Sequence, residues 1–415
     1  MRIEIPETCV AALIGISGSG KSTFCEKHFQ PTEVLSSDHY RSIVSDDESN
    51  QDVSKDAFDA LFFVAGKRLD NKRLVVIDAT NLSGAARHDI IHLAKSHETC
   101  AVALVLNTPE EVCRDRNSLR ETRVVETSII SKQTIQLKNA LPQLSRDGFS
   151  KIYIIADPDE PIEVARTKLS CNKRDEPGPF DIIGDIHGCY DELAELLEKL
   201  GYAIDPNTFA ASHPDSRKAV FLGDFCGIDN KNVETLRLVM SMAKNKMAFS
   251  VCGHHDAKLE RALRAGAQAD KSPEFQAISA QLREIGPDFA KSVKQFIDSL
   301  PSHLEFDCGN LVVAHAGILE KFHGRVSSRI RAFCLNGDLV SQKSEFGSPV
   351  RFPWADNYQG KALVVYGHTP VPEPKALNNT ICIDTGCAFG GKLTAYRYPE
   401  GDLVSVPSRT SSKMV

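Results

Sequence analysis

Ten runs of four to six mostly apolar residues, separated by longer stretches of helical period, confine this chain to sheets covered by helices. Four lie in the first half: Val10 to Ile14, Leu74 to Ile77, Ala101 to Leu106 and Ile152 to Ile155. Six lie in the second: Phe180 to Ile183, Ala219 to Leu222, Phe249 to Cys252, Leu311 to Ala314, Ala362 to Tyr366 and Thr380 to Ile383. The 415 residues amount to two or three domains of about 150 residues each. The polar segment from Asn172 to Pro179, with two prolines, suits an exposed linker. The expected division is therefore a first domain over 1–171, a linker over 172–179 and a second domain over 180–415. Both are α/β in character: a parallel sheet covered by helices, then a sheet-rich α/β domain. Few glycines and prolines fall between Ala257 and about Leu300, which predicts helices inserted into the second domain.

Composition narrows the function. Net charge is −6, so a protein that coats long duplex nucleic acid through a basic surface is excluded, although a local basic groove is not. No apolar run reaches the roughly 18 residues of a membrane helix, and Glu4 and Glu7 stand where a signal peptide is basic and then apolar. The expectation is a soluble cytoplasmic protein with no membrane partner. The 12 cysteines are scattered without a C-x-x-C pair, as expected of reduced thiols, and thiolate metal binding is disfavoured.

Gly15-Ile-Ser17-Gly18-Ser19-Gly20-Lys21-Ser22 fits G-x-x-x-x-G-K-[ST] directly after an apolar run, and Thr23 opens a predicted helix. Glycines let successive N–H groups face phosphate oxygens, Lys21 neutralises the terminal phosphates, and Ser22 can ligate Mg2+. Beyond a short strand, Asp38 and Arg41 stand three apart, as a general base and a phosphate-holding guanidinium would, or as a helix cap beside a solvated arginine. Thr108-Pro109-Glu110-Glu111 reads as a helix start with threonine at the cap. On that helix Arg116 and Arg120 share a face that Arg123 would continue, either as a lid over transferring phosphate or as a solvated basic face.

In the second half, apolar runs end in Asp185 and His187, Asp224, His254 and His255, His315, and His368. These positions take five of the 13 histidines. Strands of one sheet deliver their C-terminal ends to one edge, so these residues can converge around two divalent ions that activate water and clamp a phosphate.

Together the motifs resemble the kinase and phosphatase portions of the bacterial polynucleotide kinase-phosphatases, RNA end-healing enzymes. The likeness runs from Gly15–Ser22 through Ser36-Ser37-Asp38 and Asp78-Ala-Thr-Asn81. It continues through Gly184-Asp-Ile-His-Gly-Cys-Tyr, Glu345-Phe-Gly-Ser-Pro-Val-Arg351 and Tyr366-Gly-His-Thr-Pro to Asp384-Thr-Gly-Cys. The resemblance implies a P-loop kinase domain followed by a calcineurin-like metallophosphoesterase domain. It implies transfer from ATP or another nucleoside triphosphate to 5′-OH ends, with Mg2+, Lys21 and Ser22 at the donor, Asp38 as base, and Arg41, Arg116 and Arg120 around the phosphates. For the phosphatase it implies Mn2+ or a similar ion, a first metal on Asp185, His187 and bridging Asp224, and a second on Asp224, His315 and His368. His255 would protonate the leaving oxygen, Asp384 would orient its neighbours, and 3′-phosphate or 2′,3′-cyclic phosphate ends would be substrates.

The chain departs from that pattern. Gly223-Asp-Phe-Cys-Gly-Ile228-Asp229 replaces G-D-x-x-D-R-G and removes a phosphate-binding arginine, while His254 replaces an asparagine ligand with an imidazole that can still ligate. The sequence runs about 30 residues past Asp384, without the ligase module joined to other members. The expected partners are therefore RNA ends and a separate RNA ligase, with room for a homo-oligomer. The alternatives are a small-metabolite P-loop kinase fused to a dinucleotide or protein phosphatase, and a nucleotide-binding regulatory scaffold with a degenerate phosphatase.

Overall fold

Val10–Ile14 is the central strand of an all-parallel sheet. The order is Val34–Ser36, Val75–Asp78, Val10–Ile14, Ala101–Leu106, Lys151–Ile155. Alternation along the central strand sends Val10 and Ala12 toward helices Ser54–Asp70 and Gly84–Ser96, and Ala11 and Leu13 toward helix Lys21–His28. Burial on both faces is why this run is continuously apolar rather than alternating. The computed structural model describes residues 1–120, 124–158, 160–265, 272–343 and 349–409. It divides the chain into Met1–Leu169 and Ser170–Val415. Arg2–Pro6 and Glu163–Thr167 form a separate parallel pair that the sequence reading missed, because only Ile3 and Ile5 of the first are buried and its other residues are polar or proline.

The second unit is built on two sheets. One runs Ala248–Ser250, Lys218–Phe221, Phe180–Ile183, Lys392–Tyr398, Leu403–Pro407, its first three strands parallel. The other runs Lys375–Leu377, Thr380–Cys382, Leu363–Tyr366, Leu311–Ala314, His303–Phe306, Asn172–Lys173, with Thr380–Cys382, Leu363–Tyr366 and Leu311–Ala314 parallel. Phe180, Ile182, Val220 and Leu222 from the first sheet meet Phe306, Leu311, Val313 and Val365 from the second in one buried cluster. The helices expected after Ala257 are His254–Ala265, Pro273–Ile285 and Pro287–Ser299. Their buried side chains, among them Leu259, Phe275 and Val293, join the core outside the first sheet.

Asn172–Lys173 pairs with His303–Phe306 and completes that sheet's edge, and Arg174 Nε donates to Glu305 Oε2 at 2.8 Å. The segment expected as a free linker thus belongs in part to the second unit. Polar side chains signalled exposure correctly for a sheet edge, but composition does not register backbone pairing. The resemblance segment Glu345 to Ser348 lies outside the described residues, as does Arg123.

Asp181 sits fully buried inside an apolar strand and requires explanation. Arg217 answers it with Nε at 3.1–3.2 Å and Nη2 at 3.0 Å, Tyr202 Oη donates at 3.0 Å, and Arg397 Nε at 3.2 Å. Losing Arg217 leaves Asp181 with only Tyr202 and the half-buried Arg397, and breaking a buried ion pair costs about 3–5 kcal/mol. Arg217→Ala is therefore expected to lower the second unit's unfolding free energy by about that amount, read as a lower urea midpoint, and an unchanged midpoint would contradict the ion-pair account.

Candidate functional site

The ends of the parallel strands converge. Loops after Phe180–Ile183, Lys218–Phe221 and Ala248–Ser250 carry Asp185, His187, Asp224, His254 and His255, and loops from the facing sheet carry His315, His368 and Asp384. His187, Asp224 and His368 adopt left-handed φ values of 50°, 50° and 74°. Such backbone is costly for residues other than glycine and persists where surroundings over-determine it, as at functional sites. The glycines of these loops are forced by crowding. A Cβ on Gly367 would come 2.2 Å from Asp185 Oδ1, and one on Gly253 would come 2.1 Å from Asp224 Oδ1.

Three imidazole nitrogens meet at the centre. His254 Nδ1 lies 3.0 Å from His315 Nε2, His315 Nε2 lies 3.1 Å from His368 Nδ1, and His368 Nδ1 lies 3.2 Å from His254 Nδ1. Asp224 Oδ2 approaches His254 Nδ1 at 2.9 Å and His315 Nε2 at 3.5 Å. A tetrahedral ion with bonds of about 2.0–2.1 Å to nitrogen has ligand–ligand edges of about 3.3–3.4 Å, close to these spacings. His315 Nδ1 faces the Leu222 carbonyl at 3.0 Å, which fixes the ring with Nε2 turned inward. His187, Asp224 and His255 form a second group of ligand atoms within 4.8 Å of one another.

The electrostatics fit a cation. Burial pushes His315 down to about 4 and His187 below its ordinary value, in each case against the opposing pull of Asp224. Burial pushes Asp224 up, but the His315, His254 and His187 rings outweigh it and hold the carboxyl well below its usual range. Burial, with repulsion from Asp384 and Asp224, drives Asp185 well above, and burial lifts Asp384 to about 6. Asp185 Oδ1 is buried with no hydrogen-bond partner among the described residues. Divalent ions suit this donor set of imidazoles and carboxylates, Asp224, His254, His315 and His368 in one group and His187, Asp224 and His255 in the other, while Asp185, expected beside His187, falls in neither group.

His255 lies beside this cluster. Its backbone N–H donates to Asp224 Oδ1 at 2.8 Å, and burial pushes the ring down to about 3. A Cβ at Gly227 would come 2.6 Å from its Nδ1, which is buried without a hydrogen-bond partner among the described residues. Ile228, at the position where the resemblance implies an arginine, is 43% exposed and places no charge beside the cluster. Asp384 Oδ1 accepts from the Gly386 N–H at 3.0 Å. Asp256, next in sequence to His255, is not singled out by the pattern of apolar runs and ligands. Buried, it accepts from the N–H groups of Asp224, Phe225 and Gly253 at 2.8–3.0 Å and ties two ligand loops together. Cys189 and Cys387, read as isolated, lie with Glu192 in a buried group whose ligand atoms are within 4.8 Å, because they follow two converging loops.

In the first unit, the loop Gly15–Gly20 joins the central strand to helix Lys21–His28. Gly18 and Gly20 have φ of 82° and 91°, and a Cβ on Gly18 would come 2.2 Å from the Cys113 carbonyl oxygen. Thr108 does not cap its helix, which starts at Glu110; its Oγ1 instead donates to the Ser19 carbonyl at 3.0 Å. Ser17 N–H donates to Gln133 Oε1 at 2.7 Å. Lys21 Nζ donates to the Gly15 and Ile16 carbonyls at 3.0 and 2.9 Å, and Ser22 Oγ to Asp78 Oδ2 at 2.9 Å. Burial lowers the Lys21 ammonium while Asp78 opposes the shift; burial raises Asp78 while Lys21 opposes it. Asp78, which enters the sequence analysis only as part of the family likeness, ends an apolar run as the ligands of the second half do.

A cavity of about 330 Å3 adjoins the loop and is lined by Lys21, Ser22, Asp38, Arg41, Asp78 and Arg120 among others. Arg41 is buried, pairs with Asp38 and donates from Nε to the Glu48 carbonyl at 2.8 Å. Thr23 is exposed on the helix's first turn and does not line the cavity. The helix carrying Arg116 ends at Ser118, so Arg120 lies beyond it rather than on its face. Asn117 ends the turn by exchanging hydrogen bonds with the Val125 backbone at 2.8 and 3.0 Å. Arg116 still reaches the loop: a Cβ on Gly20 would come 3.4 Å from its Nη1. Among the described residues no helix is long and apolar enough to cross a membrane.

Two facing sheets whose parallel strands end in Asp and His ligands define a metallophosphoesterase architecture, and the chain belongs to the calcineurin-like phosphoesterase family, whose model matches residues 178–386. Residues 10–140 match the AAA domain model. Similar curated proteins include the asymmetrical bis(5′-nucleosyl)-tetraphosphatase PrpE of Halalkalibacterium halodurans, 42% identical over 234 residues, covering 55% of this chain and 94% of that protein. Those of Bacillus subtilis, 42% identical over 233 residues, and Oceanobacillus iheyensis, 40% over 234, cover 55% of this chain and 94% and 92% of their own lengths. These relatives carry a dinucleotide-hydrolase name and not the end-healing name that the sequence resemblance implies.

Reconstituted protein is expected to hold about two divalent ions per chain by elemental analysis. His254→Asn, which trades an imidazole for an amide oxygen, should shift preference from zinc toward manganese. Identical relative affinities in the two proteins would remove His254 from the ligand set.

Proposed function

We propose that the second unit is a metal-dependent hydrolase of nucleotide phosphates, in the class of dinucleoside polyphosphates, and that the first is a nucleoside-triphosphate-dependent kinase. The observation that carries the hydrolase reading is the meeting of His254, His315 and His368 nitrogens with Asp224 Oδ2. Asp185, His187 and Asp224 would hold one ion, and Asp224, His254, His315 and His368 the other. Such a pair supplies Lewis acidity toward phosphoryl oxygens and makes neighbouring water acidic. His255, neutral in the buried ground state, regains a proton as negative phosphate enters and delivers it to the leaving oxygen. Asp384 and Asp256 hold the ligand loops in place. Without an arginine at Ile228, binding energy has to come from parts of the substrate remote from the phosphate.

In the kinase reading Lys21 and the loop N–H groups bind ATP phosphates, Ser22 and Asp78 take Mg2+, and Asp38, oriented by Arg41, removes the acceptor proton, with Arg116 and Arg120 against the transferring charge. A second reading, phosphorylation of 5′-OH RNA ends with a separate ligase as partner, is favoured by the Asp38–Arg41 pair, which suits a hydroxyl next to a phosphate.

Purified protein with a divalent ion should hydrolyse a bis(5′-nucleosyl) tetraphosphate, and His255→Ala should lower turnover about 10²–10⁴-fold. Absence of divalent-dependent hydrolysis would overturn the first reading. Labelled ATP offered with nucleosides and a 5′-OH oligonucleotide assigns the acceptor. Lys21→Ala and Asp38→Ala should each abolish most transfer, and wild-type transfer by both would overturn the kinase assignment.

A further inference from the structure

A cavity of about 260 Å3 opens beside the metal-ligand cluster, with His368 in its wall. Trp354, Tyr366 and Val371 form apolar walls, while Asp356 and Lys375, both exposed, supply charge at the edge. The aromatic corner is fixed in advance. Trp354 and Tyr366 ring centroids are 4.9 Å apart at 64°, and Trp354 Nε1 donates to the Ala316 carbonyl at 3.1 Å. The indole presses on bare backbone: a Cβ on Gly317 would come 2.0 Å from it. Asn378 Nδ2 ties the Ala355 carbonyl at 2.7 Å, holding the turn that carries the tryptophan.

We propose that this cavity binds the nucleoside of the substrate whose phosphate lies at the metal-ligand cluster, with Trp354 and Tyr366 as specificity-determining residues. The inference rests on the hydrolase reading above and names where its binding energy comes from. Three observations converge on it. The cavity begins at a ligand residue, so a group esterified to a phosphate at the cluster is within reach. Its volume and rigid aromatic walls suit one base and sugar, because aromatic faces stack any base. Ile228 leaves the phosphate end without its arginine, so recognition shifts to the remainder of the molecule. The nucleoside could arrive 5′-linked in a dinucleoside polyphosphate or as the 3′ end of an oligonucleotide.

Trp354 is the one tryptophan of the sequence, so its fluorescence reports this cavity in the full chain. Metal-reconstituted protein is titrated with a methylene-bridged bis(5′-adenosyl) tetraphosphate, a 3′-phosphorothioate dinucleotide and inorganic pyrophosphate. The titration is repeated on Lys21→Ala protein to exclude binding at the P-loop. Saturable quenching is expected with at least one nucleoside ligand and not with pyrophosphate, and the ligand that quenches at lower concentration identifies the source. Val371→Phe, and independently Leu377→Phe from another wall, should weaken that binding about fivefold or more, the scale of losing a base stack. No quenching by either nucleoside ligand, equal quenching by pyrophosphate, or unchanged binding in both folded variants would overturn the proposal. Failure of the hydrolase reading is seen separately, as loss of divalent-dependent turnover of an aryl phosphate that needs no nucleoside pocket.

Discussion

The buried charge of Asp224 is the constraint on which the second unit depends. Its carboxyl is fully buried, yet neighbouring imidazoles hold it ionised, while its own backbone N–H is claimed by Asp256 and its Oδ1 by the His255 N–H. A carboxylate in that position is tolerable only with cationic or hydrogen-bonding partners from several directions. Those partners come from strands of both sheets, so the two-sheet core and the ligand cluster specify each other. The left-handed backbone at His187, Asp224 and His368 is the local cost of bringing the loops so close.

The first unit solves a related problem with opposite charge. Lys21 is drawn into the loop by two carbonyls and faced by Asp78 through Ser22, so the cradle is assembled before any phosphate arrives. Close packing of Gly18 on Cys113 and the bond from Thr108 to Ser19 fasten the loop to the next strand and helix. In the kinase reading, a bound phosphate would replace the carbonyl partners of Lys21 in a loop already ordered, which lowers the entropy cost of binding.

Much of this was legible from local pattern. Apolar runs found most of the strands around both sites, and the residues just past them found the histidines and Asp224 that the structure gathers, whereas Asp256 and Asp78 were passed over because their partners are distant in sequence. What failed shares one physical cause: local composition does not register long-range pairing. Asn172–Lys173 reads as linker because its backbone pairing with His303–Phe306 leaves no mark on local composition, Thr108 reads as a cap because its acceptor is 89 residues away, and Cys189 and Cys387 read as isolated thiols. Arg120 was misplaced because Asn117 closes the helix by bonding Val125, a loop contact without a propensity signal. The family resemblance placed the calcineurin-like domain correctly, while the substrate class it implied is not the one carried by the similar PrpE proteins.

Anomalous diffraction from crystals grown with manganese or zinc tests the central claim most directly. The account predicts two peaks about 3.5–4 Å apart that share Asp224, one contacted by His254, His315 and His368 and the other by Asp185 and His187. A fully loaded crystal with no peak at Asp224, or with a single ion that His254 does not touch, would contradict it.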